Sequence, residues 1–429
     1  MAQVISVGML GCGIVGSAVA RTMESHAAEI ADRVGARLEI RKVAVRNVGK
    51  ERDVPLDKSL FTNDATEVIR DPQIQILVEV MGGIEPARTL ILDAMRSGKH
   101  VVSANKELIG TLGRELFDEA EASNVDFFFE ASVAGGIPII RPLKESLSGE
   151  KVDRVMGILN GTTNYILTRM SEEGMEFDQA LAEAERLGYS ELDPTADIEG
   201  FDAAAKLSIL ASIAFNARVV AGDVYREGIT HVSARDIAFA RNLGYAVKLL
   251  AIAEALNGEI ALRVHPAMIP ETHPLASVRE NLNAIFIEGQ QVGELMFYGR
   301  GAGGPPTSIS VVGDVVGVAR HMVSGGRGVG PVYTQPARIR PMDQTYSQYY
   351  VLLEVADKPG VLAQVASKFS DNDVSIKSVW QEGYGDEASL VMVTHTALEQ
   401  NVQSLLSALR TLEDVKAVTS SMRVQSAED

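Results

Sequence analysis

The chain of 429 residues contains one cysteine, Cys12, and one tryptophan. A single thiol allows no intramolecular disulfide and no cysteine-based zinc site, so a reducing, cytoplasmic setting is expected. Long apolar runs are missing as well. No stretch of about 18 apolar residues occurs, so no membrane-spanning helix is expected. The opening Met1-Ala2-Gln3-Val4-Ile5-Ser6 has no basic region leading into an apolar stretch and a cleavage site, which points to a soluble protein. Basic residues are the minority, 40 against 57 acidic, for a formal net charge of -17. Nucleic acid and anionic membranes both need a positive footprint, so neither is expected as a partner. A small anion held by a local basic patch remains compatible with that charge.

What is present begins with length, which exceeds one ordinary core and predicts two or three domains. Val4 to Leu10 is a nearly continuous apolar run ending at a glycine, the pattern of a buried parallel strand. A helix follows over Val15 to His26, then strands near Leu38 to Val45, Ile74 to Val80, His100 to Ser103 and Phe127 to Ala131. Helical stretches at Pro86 to Ser97 and Lys106 to Ser123 lie between them, and such alternation predicts a doubly wound α/β sheet. Beyond Ala131 the rhythm changes to an α+β pattern with a long helix near Asp202 to Phe215 and strands near Ile260 to Val264 and Ala284 to Glu288. The last 80 or so residues read strand–helix–strand–strand–helix–strand, a ferredoxin-like βαββαβ unit. The expected domains are 1–130, completed by about 304–325; 131–303; a linker at 326–347; and 348–429.

Gly11-Cys12-Gly13-Ile14-Val15-Gly16 stands between the first strand and the first helix, the context that gives G-x-G-x-x-G its meaning. Gly11 permits the tight turn, Gly13 lets backbone approach a pyrophosphate, and Gly16 allows close helix–sheet packing. The anion would rest on the helix N-terminus, with Ile14 and Val15 in its first turn. The second strand ends in Arg46-Asn47 rather than an acid, with Lys50 and Arg52 close behind. An arginine there suits a 2′-phosphate through paired charged hydrogen bonds, which favours NADP and leaves NAD possible.

From Leu187 to Leu210 an acidic stretch, Glu191, Asp193, Asp197 and Glu199, feeds a helix rich in Ala, Leu and Ile. Asp202 and Lys206 are spaced i, i+4 and share one helix face. Spacing alone allows either an ordinary ion pair or a functional ammonium. The acids upstream favour the second, because an amino-acid substrate brings an ammonium that needs carboxylates. Burial also lowers a lysine's pKa toward the range useful for proton transfer.

This segment resembles the substrate and catalytic region of homoserine dehydrogenases. Gly157-Ile158-Leu159-Asn160-Gly161-Thr162-Thr163 resembles that family's substrate-domain signature, Ser103-Ala104-Asn105-Lys106 its second active-site lysine, and Gly301-Ala302-Gly303-Gly304-Pro305-Pro306-Thr307 its glycine-rich return to the nicotinamide. The likeness runs from residue 4 to about 325. It implies reversible hydride transfer between NAD(P)H and L-aspartate 4-semialdehyde, giving L-homoserine for threonine, methionine and isoleucine synthesis. By the same likeness Lys206 is the general acid/base, Asp202 orients substrate or water, Lys106 sits at the substrate and nicotinamide end, and Glu191 holds the substrate ammonium. Gly82, Ser103, Gly188 and Gly303 join the cofactor contacts. Glu130, with the carbonyls of Val133, Gly135 and Ile137, resembles the family's loop for a monovalent cation such as Na+ or K+, with a structural role.

Residues from about Tyr350 to Val424 resemble an ACT domain, on Asp357-Lys358-Pro359-Gly360 and Asn372-Asp373-Val374-Ser375-Ile376. The resemblance implies an amino-acid effector, with threonine the pathway-level expectation, and a homodimer or homotetramer. A module serving assembly alone fits the same residues. Two other readings are an ACT-bearing dehydrogenase of another small hydroxy acid and a non-catalytic amino-acid or redox sensor. The first usually needs a His–carboxylate pair, which does not stand out among the seven histidines. The second leaves Asp202, Lys206 and the glycine-rich return unexplained. Since the chemistry is assigned between Gly11 and Gly304, a chain cut near Tyr346 is expected to fold and stay active, provided the module does not hold the oligomer together.

Overall fold

The computed structural model describes residues 3–190, 192–328, 333–383 and 388–425, and the chain divides into two compact units. One unit comprises Met1–Val155, Ala205–Val224 and Asn283–Ala337; the other comprises Met156–Ala204, Tyr225–Leu282 and Arg338–Asp429.

The first unit is built on six strands: β1 (Val4–Leu10), β2 (Arg37–Ala44), β3 (Phe61–Thr62), β4 (Ile74–Glu79), β5 (His100–Ser103) and β6 (Phe127–Phe128). Their order is β3-β2-β1-β4-β5-β6, and every pairing is parallel. Parallel strands covered on both faces must be apolar throughout, and β1 obeys, with Ile5, Val7 and Met9 fully buried. The order reverses between β1 and β4, where an open α/β sheet leaves its ligand crevice. Helix α1 (Ile14–Ser25) starts at that crevice. A second helix, Gly304–Ser324, enters the same core from far along the chain, placing Val311, Val315 and Val318 against Val7, Met9 and Val78.

The strand expected over Phe127 to Ala131 ends early, at Phe128. Glu130–Ser132 instead form a 3-10 turn, because the Glu130 amide donates to Asp314 Oδ2 at 2.8 Å and its carboxylate turns to another backbone segment.

In the second unit, strands Tyr245–Leu256 and Glu259–Pro270 form an antiparallel hairpin. Asn257 (φ 52°) and Gly258 (φ 82°) make its turn, and only residues tolerant of positive φ close a two-residue hairpin this way. The C-terminal module has strands Tyr346–Val355, Ile376–Glu382, Ala388–Thr394 and Val415–Val424, with helices Val361–Asp371 and Glu399–Leu409. The order is βαββαβ, and Val351, Leu353, Val365, Phe369, Leu390 and Leu405 form its buried core.

That module is not a bead on a string. Its last strand pairs in parallel with Glu259–Pro270, matching Ala267 to Arg423 and Met268 to Val424, and Gln425 N donates to Met268 O at 2.8 Å. Asp236, almost fully buried, accepts from Tyr350 Oη at 3.3 Å and Ser420 Oγ at 2.5 Å. The stretch expected as a linker is also bonded. Gln335–Pro336 pairs with Ala217–Arg218, and Ile260 exchanges backbone hydrogen bonds with Arg338 and Arg340.

Candidate active site

The crevice is shaped by backbone. Gly11 has φ 101°, and a Cβ on it would sit 2.8 Å from the Val80 carbonyl oxygen. A Cβ on Gly16 would lie 2.5 Å from the Gly11 carbonyl oxygen, so α1 can approach the loop only without a side chain there. Gly13 faces open space, with nothing within 4 Å of a Cβ position. Gly303, in a glycine-favouring conformation (φ 113°, ψ 151°), precedes the Gly304–Ser324 helix. A Cβ on Gly304 would meet Ile14 Cγ2 at 3.0 Å and the Ile14 carbonyl oxygen at 3.2 Å. Two helix N-termini therefore converge beside Gly13 with their positive dipole ends, and α1 adds the amides of its first turn, which Pro305 and Pro306 deny to the second helix; an anionic pyrophosphate suits that arrangement. Ile14 is 80% exposed on the rim, an unusual exposure for a large apolar residue, and Val15 is half-buried. The residues present fit a dinucleotide.

Arg46 is exposed just past the end of β2. Arg52 is occupied: its guanidinium donates to the carbonyls of Cys12 (3.3 Å), Lys50 (2.8 Å) and Asn47 (2.9 Å), fastening this loop to the glycine turn.

At the end of β4 the fully buried Glu79 carboxylate accepts from Met81 N (2.9 Å), Gly82 N (3.1 Å) and Ser103 Oγ (2.7 Å). Ser103 Oγ accepts from Asn105 N at 3.1 Å, which ties the serine into this framework beside the crevice. Asn105 holds Gly83 O through Nδ2 (2.7 Å) and caps the helix Lys106–Ala122 by accepting from Leu108 N (3.1 Å). One carboxylate thus fixes both Gly82 and the start of the Lys106 helix. A cation in a first helical turn opposes the dipole, at a cost of about 0.3–1 kcal/mol, so helix stability does not explain Lys106.

Asp202 and Lys206 are 6% and 7% exposed on the helix Phe201–Ala214. Burial to that degree separates them from an ordinary surface ion pair. Asn160, the N-cap of the helix Gly161–Glu173, accepts from Thr163 N at 2.9 Å and uses its amide hydrogens on two carboxylates: Asp197 Oδ1 at 2.7 Å and Asp202 Oδ2 at 2.9 Å. Thr162 Oγ1 lies 3.0 Å from Asp197 Oδ2 and 2.7 Å from the Tyr189 carbonyl oxygen. Glu191 lies outside the described residues. Gly188 (φ 75°) follows the helix Phe177–Arg186 in the left-handed conformation that ends helices, a role sufficient to explain it.

Both oxygens of the Glu130 carboxylate are taken by the amides of Ile139 (2.6 Å), Ile140 (2.7 Å) and Arg141 (2.9 Å). Arg141 Nη2 donates to Asp314 at 2.6 Å, and burial pushes the Asp314 carboxyl up to about 7. The Glu130 side chain thus caps the turn that begins at Ile139. Gly135 (φ 25°) packs so that a Cβ would be 2.7 Å from both Gly301 O and Thr307 Oγ1. Among the described residues no group of three or more His, Cys, Asp or Glu side chains could hold a metal ion.

Comparison with known proteins identifies the family. The family model for the homoserine dehydrogenase NAD-binding domain matches residues 11–130, that for homoserine dehydrogenase residues 138–316, and that for the ACT domain residues 349–414. The homoserine dehydrogenase of Corynebacterium glutamicum is 47% identical over 426 residues, 98% of this chain and 96% of its own. This chain belongs to the homoserine dehydrogenase family. The Bacillus subtilis homoserine dehydrogenase is 41% identical, with 99% of each chain covered. The crystal structure of a homoserine dehydrogenase from Thiobacillus denitrificans, 39% identical, superposes with a TM-score of 0.92 and 99% coverage of both chains. A hyperthermophilic archaeal homoserine dehydrogenase mutant in complex with NADPH, 29% identical, gives 0.63 over 74% of this chain and 98% of that one. The chain is accordingly an NAD(P)-dependent oxidoreductase with an ACT domain.

Two residues of this homoserine dehydrogenase site were not singled out from the sequence. Glu79 reads as one polar interruption in the strand Leu77-Val78-Glu79-Val80. Asn160 stands inside a motif, and its position before Gly-Thr-Thr signals a helix cap but not the two carboxylates it holds.

Proposed function

We propose that Lys206 is the general acid/base of homoserine oxidation, with Asp202 orienting the substrate beside it. The observation that supports this most is the buried i, i+4 pair together with the Asn160 amide fixed on Asp202. Oxidation of an alcohol takes a hydride from carbon and a proton from oxygen. The nicotinamide, when bound, accepts the hydride. The Lys206 amine takes the hydroxyl proton, and in the reverse direction its ammonium returns a proton to the aldehyde oxygen. Lys106 holds substrate beside the nicotinamide, and Glu191 pairs with the substrate ammonium. No protein nucleophile is required; position and proton handling are the protein's share.

Arg46 would bind the 2′-phosphate of NADP, and Gly11, Gly13, Gly16, Gly82 and Gly303 shape the rest of the cofactor cradle. Glu130 and the carbonyl oxygens of Val133, Gly135 and Ile137 would hold Na+ or K+, a hard ion suited to hard donors. The ACT domain would take an amino-acid effector, threonine first, in a cytoplasmic homodimer or homotetramer. NADP+ reduction measured with L-homoserine, L-malate, 3-phosphoglycerate and no substrate tests the substrate reading. Turnover with homoserine alone is expected, and preference for either hydroxy acid would overturn it.

A further inference from the structure

Arg423 lies in the final strand of the C-terminal module, yet its side chain is 3% exposed and reaches outside that module. Nη2 donates to Glu399 Oε1 at 2.7 Å, Nε to Glu399 Oε2 at 3.2 Å, and Nη1 to Glu227 Oε2 at 2.6 Å. Glu399, at the start of the helix Glu399–Leu409, also accepts from Tyr349 Oη at 2.7 Å, so the arginine is fixed within the module. Glu227 belongs to the segment that leads back to the substrate loop. Its amide donates to Val264 O at 2.8 Å, and the amide of Ile229 donates to Ile198 O at 2.9 Å. Between them Gly228 is pressed so tightly that a Cβ would stand 2.5 Å from Ile198 O and 2.7 Å from Glu199 Oε2. Ile198 directly follows Asp197, which shares the Asn160 amide with Asp202.

We propose that Arg423 is a positioning residue for the substrate loop: by fixing Glu227 it holds the 227–230 segment against Ile198 and Glu199, and thereby keeps Asp197 and Asn160 aligned on Asp202. The contact at Gly228 has no slack, and close-packed contacts transmit displacement instead of absorbing it. A planar guanidinium serves two carboxylates in different directions, which the point charge of a lysine does not. Any shift of the module's last strand therefore reaches the carboxylates without passing through the cofactor crevice. The inference rests on the substrate-orienting role proposed for Asp202.

Homoserine oxidation by the full-length chain tests it. Glu227→Gln removes the anion while keeping the shape, and Gly228→Ala perturbs the same contact without touching the module. Each is expected to raise the KM for homoserine about three- to tenfold, leaving the KM for NADP within about twofold; Glu227→Gln should melt near wild type, and Gly228→Ala lower, because its Cβ meets backbone at 2.5 Å. Arg423→Lys is expected to fall between wild type and Arg423→Met. Where Arg423→Met fails to fold, the Glu227 and Gly228 variants decide. Folded variants of both with unchanged homoserine KM would overturn the proposal and leave Arg423 as a seam stabiliser. A parallel rise in the NADP KM would also overturn it, by showing general loosening. Wild-type enzyme without homoserine turnover would sink the substrate reading instead, a result distinct from either.

Discussion

Gly110 approaches Ala205 so closely that a Cβ on it would sit 3.1 Å from the Ala205 carbonyl oxygen and 3.2 Å from Ser208 Oγ. Gly110 is one helical turn beyond Lys106, and Ala205 directly precedes Lys206, so this contact sets how near the two lysine-bearing helices come. Alanine favours a helix over glycine by about 1 kcal/mol. Here that gain is offset by a contact that must open by a few tenths of an ångström. Gly110→Ala is expected to lower kcat by about three- to tenfold with little loss of melting temperature, since small misplacements of reacting groups are costly. Unchanged kcat in steady-state assays would show that the helix spacing does not govern the chemistry.

Lys206→Ala should lower kcat by on the order of 10²–10⁴ in folded protein. Circular dichroism confirms the fold, and single-turnover NADP+ reduction isolates the chemical step. Near-normal turnover would remove Lys206 from the proton path.

The glycine turn was legible in the sequence because its requirements are local: a positive φ at Gly11 and close packing at Gly16 follow from the chain around them. The helix carrying Asp202 and Lys206 was legible from its composition, with bounds off by one residue at each end. What escaped depends on partners distant in sequence. Asn160 meets Asp197 and Asp202 across 37 and 42 residues, and Arg423 meets Glu227 across 196. The strand Tyr245–Leu256 was missed although Asn257-Gly258 is a strong hairpin signal, because its Ala- and Leu-rich run, interrupted only by Lys248 and Glu254, reads equally as a buried helix.

Arg46→Asp should weaken NADP far more than NAD, by losing a charged donor and adding repulsion against the 2′-phosphate. Initial rates over a range of each cofactor read the ratio of the two kcat/KM values, which should move toward NAD. Equal losses for both would assign Arg46 to support of the loop that Arg52 fastens.

Lys248 gives a pH test. Its Nζ donates to Asn164 Oδ1 at 3.1 Å and Val278 O at 2.5 Å, and burial lowers its pKa from 10.5 to about 8. Between those values the unfolded chain keeps the proton and the folded chain sheds it, so stability rises with pH across the window. Below about 8 both states are protonated and the full penalty of burying the ammonium is present. Lys248→Met abolishes this titration. The stability of wild type relative to the variant should therefore grow from pH 8 to 10.5, by on the order of 3 kcal/mol at most. Denaturant melts giving a flat difference over that window would refute the buried, depressed lysine.

A chain cut near Tyr346 is expected from the sequence to fold and work unless the module holds the oligomer together; the contacts of the module's last strand argue for a loss of stability instead. The cut removes the strand that pairs with Ala267 and Met268, strips Arg423 from Glu227, and takes Tyr350 and Ser420 from the buried Asp236. An exposed strand edge is a template for association, and a carboxylate oxygen stripped of its donors, as Asp236 Oδ1 would be while Oδ2 keeps Ser233, costs roughly 1–3 kcal/mol where it stays buried. The truncated chain should aggregate or melt well below the full-length enzyme, with turnover falling in proportion to folded protein. A cut chain that fails to fold cannot separate regulation from catalysis, whatever the effector. That separation belongs to the intact chain: threonine added to full-length enzyme should change homoserine affinity by about 5–150-fold, the usual range of coupling between sites. Light scattering and thermal melts of the cut chain decide the structural half. A monodisperse truncation with wild-type melting and turnover would show that the shared strand contributes nothing to the catalytic fold.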